Sequence, residues 1–149
     1  MTDDLNTAIA TLMAEREIKD ALFRYQQGQD RRLPDVQRSA FHADAWVEAG
    51  AIKGDADSFV RQAQALLNQF ARTHHQMGQI RIDLNGDDAT GEVYFTAYHR
   101  IEDDGPPEDL FIAGRYIDTY CRRDGSWRIV HRIEAVDWTR RVPAADAET

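Results

Sequence analysis

Apolar residues recur at helical spacing from the start of the chain: Leu5, Ile9, Leu12 and Met13, then Ile18, Leu22, Phe23 and Tyr25 or Gln26. This predicts a helix over residues 4–29, with Asp3 or Asn6 as a cap and Gly28 as its stop. Leu33-Pro34-Asp35 predicts a second helix with proline in its first turn, carrying Val36 and Phe41. Residues 45–51 (AWVEAGA) alternate in part and break at Gly50 and Gly54, which reads as a short strand. Asp57 or Ser58 opens a third helix to about Phe70, with Phe59, Ala63, Leu66, Leu67 and Phe70 on one face.

The period then changes from helical to alternating. Ile80, Ile82 and Leu84 alternate, and Asn85-Gly86-Asp87-Asp88 is a strong turn signal. Residues 89–101 form a long strand rich in β-branched and aromatic side chains, ended by an acidic, proline-containing loop over 102–109. Residues 110–122 are the next strand, 123–126 a hairpin turn and 127–138 the last strand. Helices followed by a meander of long strands predict an α+β domain over residues 1–140, with a disordered tail at 141–149. Its expected architecture is a cone-shaped, curved antiparallel sheet packed against three N-terminal helices and enclosing a pocket.

Length and composition fit that picture. The 149 residues suit one domain, and 42% hydrophobic with 30% charged residues is globular rather than disordered composition. The net charge of −8 argues against a general nucleic-acid binder, which needs surplus cations for phosphate. Cys121 is the single cysteine, so no internal disulfide is expected. No apolar run approaches bilayer length, and the acidic N-terminus lacks the order of a signal peptide. The expected compartment is the cytoplasm, with no membrane partner.

Against this background, Tyr25 with Asp30, the pair His74-His75, and His99 carry candidate chemistry. His99 shares strand parity with Val93, Phe95, Ala97 and Ile101, which turns it inward. Of His74 and His75, one faces in and one out. A carboxylate fixes an imidazole's tautomer and raises its basicity, and a phenol donates to an oxyanion or a leaving hydroxyl. The histidine spacing matches no zinc site, so no metal is expected, and this chemistry calls for no cofactor.

The segments IKDALFRYQQGQD, FHADA, THHQMGQIRIDLNGDDATGEVYFTAYHR, GRYIDTYCRRDGSWRIVHR and a late Asp137-Trp138 resemble the SnoaL-like group of the nuclear transport factor 2-like superfamily. Within it the chain is most similar to the scytalone dehydratase, bile-acid dehydratase and hexachlorocyclohexane dehydrochlorinase branch. That resemblance implies an Asp30–His75 base dyad, with Tyr25 and His99 as further catalytic groups. It also places Arg132 where the branch carries a recurring arginine. Arg132, Phe95 and Trp46 are the expected substrate-contacting residues. The implied activity is a cofactor-independent lyase, dehydratase-like, or an isomerase, acting on a small cyclic or aromatic molecule. The same fold also serves polyketide cyclases, hydrolases and non-catalytic accessory modules. A homodimer or homotrimer is expected. Tyr94, Tyr98, Tyr116 and Tyr120 are assigned by residue number to the outer sheet face, as its interface anchors.

Overall fold

The structure, a computed structural model, describes residues 1–145. Its elements run α1 (Thr2–Asp30), α2 (Pro34–Arg38), β1 (Phe41–Ala49), β2 (Ile52–Asp55), α3 (Ala56–Leu67), β3 (Arg72–Asn85), β4 (Asp88–Ile101), β5 (Glu108–Arg123) and β6 (Ser126–Pro143). The six strands form one open sheet in the order β2-β1-β6-β5-β4-β3. The sheet is mixed, because β1 runs parallel to β6 while every other neighbouring pair is antiparallel. This is the expected α+β architecture, with one parallel pair added.

Helix α1 does not stop at Gly28. A Cβ at that position would lie 2.4 Å from the backbone nitrogen of Gln37, so the glycine lets α2 touch α1. Gln64 on α3 donates to the Gly28 carbonyl at 3.0 Å and to Gln37 Oε1 at 2.7 Å, tying three helices at one point. The chain turns two residues after Asp30, where Arg32 takes a left-handed backbone (φ 55°) and Leu33 N–H closes onto the Gly28 carbonyl at 2.9 Å. Among the described residues nothing covers the first turns of α1: Leu5, Ile9, Leu12 and Met13 are all exposed, Ala14 is the first to touch the core, and full burial begins at Ile18.

Other boundaries shift for local reasons. Phe41 belongs to β1, not α2, and α2 is a single short turn. Asp55 rather than Asp57 or Ser58 caps α3, accepting from Ser58 N–H at 2.8 Å, and the helix ends at Leu67. Strand β6 continues to Pro143, where Leu110, Asp109 and Glu108 pair with Arg141, Val142 and Pro143. The expected tail is therefore sheet over its first three residues, and residues 146–149 lie outside the described residues.

The helices sit on the concave side of the sheet around an aromatic cluster. Tyr25 meets Phe41 and Tyr116 edge-on at 5.7 Å, and Phe95 stacks on Tyr116 at 4.3 Å. Tyr116 and Tyr120 are thus core residues, which corrects their assignment to the outer face. Parity by residue number does not carry from one strand to the next. Val93 pairs with Tyr116 and Ala89 with Tyr120, so inward odd positions on β4 face inward even positions on β5.

Candidate active site

Asp30 is the last residue of α1, where a carboxylate meets the unfavourable end of the helix dipole. It is held there by three donors. His75 N–H donates to Oδ2 at 2.9 Å, Thr73 Oγ1 donates to Oδ1 at 3.2 Å, and His75 Nδ1 lies 2.7 Å from Oδ1. Arg32 braces the assembly, donating to Thr73 Oγ1 at 2.9 Å and to the Leu67 carbonyl at 2.7 Å. Burial works against the charged form of Asp30, but the hydrogen bonds from the His75 ring and backbone and from Thr73 outweigh it. The carboxyl is held below its ordinary range. An ionised Asp30 makes Nδ1 the protonated nitrogen of His75 and leaves Nε2 as an acceptor with no partner among the described residues.

The side chain that meets Asp30 is His75, and His74 is exposed. A β-bulge decides this. Pairing with β4 shifts between Met77 and Ile80, so Thr73, His75 and Met77 share a face with Ile80, Ile82 and Leu84 although their parities differ.

His75 opens onto a cavity of about 120 Å³. Its apolar wall includes Phe59, Leu66, Leu67, Phe95, Ala97 and Ile112; its polar lining is Tyr25, Gln29, His75, His99, Tyr116 and Glu134. The His99 ring sits edge-on to His75 at 5.2 Å, and its Nδ1 is buried without a partner among the described residues. Burial, with the charge of His75 adding to it, pushes the His99 pKa down to about 4, so this ring is neutral near neutral pH. Burial also raises the Tyr25 phenol above its ordinary value, against the pull of Arg132, so Tyr25 stays a neutral donor.

Of the expected residues, Asp30 stands behind His75, while His75, Tyr25, His99 and Phe95 line the cavity. Trp46 does not. Its neighbours Ala45 and Val47 point inward, so Trp46 faces out, 48% exposed. Arg132 also leaves the substrate-contacting set, because it is wholly buried beneath the cavity lining. Its Nε and a terminal nitrogen grip Asp118 at 2.8 and 2.6 Å, and its guanidinium lies over both the Tyr25 and Tyr116 rings, 4.2 and 4.0 Å from their centroids. Breaking such a buried pair costs about 3–5 kcal/mol, so Arg132 supports the Tyr25 and Tyr116 rings rather than touching ligand. Gln29, Tyr116 and Glu134 were missed. Gln29 lies inside the run IKDALFRYQQGQD, one turn past Tyr25, but was not singled out there, while Glu134 gave no signal at all. Among the described residues, no three His, Cys, Asp or Glu side chains form a metal-ligating group, and no helix is long and apolar enough to cross a membrane.

Residues 10–133 match the SnoaL-like domain family. The chain belongs to that family. Its SnoaL-like fold is shared with solved structures of low sequence identity. A scytalone dehydratase candidate from Novosphingobium aromaticivorans superposes with a TM-score of 0.79 at 24% identity, covering 97% of this chain and 94% of that one. The hexachlorocyclohexane dehydrochlorinase LinA-type3 from Novosphingobium barchaimii LL02 gives 0.78 at 17%, covering 95% and 97%. A relative in sequence, the uncharacterized protein Rv2910c of Mycobacterium tuberculosis, is 24% identical over 131 residues, 85% of this chain and 88% of that protein.

Proposed function

We propose that this SnoaL-like protein is a cofactor-independent lyase, dehydratase-like, or an isomerase, in which His75 removes a carbon-bound proton. One observation carries the reading: His75 Nδ1 donates to Asp30 Oδ1 at 2.7 Å while the same ring lines a cavity with an apolar wall. Family membership and neighbours named for elimination enzymes support it.

The carboxylate orients the ring and stabilises the imidazolium formed as the proton arrives. Tyr25 and His99 then supply hydrogen bonds to the oxygen on which negative charge develops. The apolar wall excludes water, which strengthens each of these interactions. Loss of a leaving group completes an elimination, and return of the proton elsewhere completes an isomerisation. The substrate class this site suits is a small cyclic or aromatic molecule.

Proton abstraction is tested directly by deuterium exchange. One-ring ketones such as cyclohexanone are incubated with the protein in D2O, and loss of the α-proton signal is followed by NMR. Exchange above the buffer rate is expected. Asp30→Asn and His75→Ala should each slow it by at least about 100-fold, and the double variant should add little, because the two groups act as a unit. Wild-type exchange rates in either variant would overturn the dyad.

A further inference from the structure

The cavity has a second polar end that the base dyad does not use. Glu134 sits on β6, three strands across the sheet from His75 on β3, so the two side chains approach the cavity from different walls. The Glu134 side chain makes no hydrogen bond or ion pair with any described residue, and the charged neighbours on the same face, Arg132 and Asp118, are committed to each other. A half-buried carboxyl with no protein partner, at the wall of an apolar cavity, is a polar group waiting for a ligand. Across the sheet it is flanked by Ala49 and Tyr116, neither of which carries a charge.

The cavity's size limits what reaches that carboxyl. At about 120 Å³ it is somewhat smaller than the cavity of about 150 Å³ that accepts benzene. A single six-membered ring is the upper limit that such a volume sets, and a fused pair exceeds it.

We propose that Glu134 receives the hydroxyl of an uncharged one-ring substrate, and that this hydroxyl is the leaving group of the elimination begun by His75. The assignment rests on the base-dyad reading for its chemistry but not for its binding. Burial raises the Glu134 carboxyl above its ordinary range, although the charges of Arg132 and His75 pull the other way, which favours the protonated form as donor. For a β-hydroxy ring ketone the step balances as follows. His75 Nε2 takes the proton from the carbon beside the carbonyl, and that electron pair becomes the new C=C bond. The C–O bond breaks, and the hydroxyl leaves as water with the proton of Glu134. The imidazolium then releases a proton to solvent, and the Glu134 carboxylate takes one up.

Binding of defined probes tests this without turnover. Asp30→Asn protein is titrated calorimetrically with 3-hydroxycyclohexanone, cyclohexanone, cyclohexylammonium and 1-naphthol. The hydroxyl compound is expected to bind at least about tenfold more tightly than cyclohexanone, the worth of one good hydrogen bond in a dry site. That advantage should vanish when Glu134→Leu is added and persist in part with Glu134→Gln, whose amide still donates. Should the leucine variant misfold, the glutamine variant and the probe series still decide. Equal affinities for the two ketones, tightest binding by cyclohexylammonium, binding of 1-naphthol as tight as that of the one-ring compounds, or no binding of any one-ring probe would each overturn the proposal. Failure here leaves the exchange experiment on Asp30 and His75 untouched. Failure of that experiment leaves the hydroxyl site standing without its base.

Discussion

His99 illustrates how one buried residue links the site to stability. Its pKa falls from the ordinary 6.5 to about 4 on folding. The unfolded chain therefore binds more protons between those values, and stability is complete above pH 6.5 and is lost as pH falls toward 4. The full shift corresponds to at most about 3 kcal/mol. We expect His99→Leu to flatten the fall of melting temperature across that window, as measured by circular dichroism at half-unit pH steps. An unchanged slope would mean that another group controls it. Asp30 works at lower pH: its depressed carboxyl contributes stability that is full above the ordinary carboxylate value and is lost as pH falls from there through the depressed value. At this scale the sequence made part of the site legible. Asp30, His75 and His99 are unusual residue types beside apolar runs, so they stood out. Glu134 did not, since a glutamate on a strand in an acidic chain reads as solvated surface until its face is known.

Faces are set by the elements, and here two bulges reverse them. In β6 the pairing with β5 slips at Val130: Ile129 pairs with Tyr120, and His131 with Thr119. Trp127 and Ile129 face in at odd positions, yet after the slip Arg132 and Glu134 face in at even ones, leaving Ile133 outside. Simple alternation from Trp127 onward therefore points to the wrong residues, and the bulge near Gly78 does the same for the two adjacent histidines. The long strands and α3 were legible because their patterns are long and regular. Strand β2 has four residues, too few to be recognised from alternation, and β1 shifts register between Phe41 and Trp46, so only its second half reads as a strand. The joint between α1 and α2 offers a test at this scale. Gly28→Ala places a methyl group against the Gln37 backbone and should destabilise the protein by about 1–3 kcal/mol in urea unfolding. It should also slow proton exchange, because Asp30 lies half a turn further along the same helix. Native stability in this variant would show that the helices separate freely.

The whole molecule presents Trp46, Tyr94, Ile117, Ile133 and Trp138 as exposed large side chains on the outer face of the sheet, with Ile117 directly opposite Ile133. Monomers seldom expose so much apolar surface on one face, and we expect self-association through it. Light scattering should give a multiple of the monomer mass, and Ile117→Glu combined with Ile133→Glu should reduce it to one copy. A wild-type monomer at micromolar concentration would refute this. The cavity has a different consequence at the same scale, expressed in volume rather than energy. Its 120 Å³ is about 70 mL per mole, while whole proteins change volume by only roughly 20 to 100 mL/mol on unfolding. The volume lost on unfolding scales with such voids, so the pocket contributes to the response of this chain to compression. A bound ring should raise the pressure at which the protein unfolds, by occupying space that unfolding would otherwise eliminate.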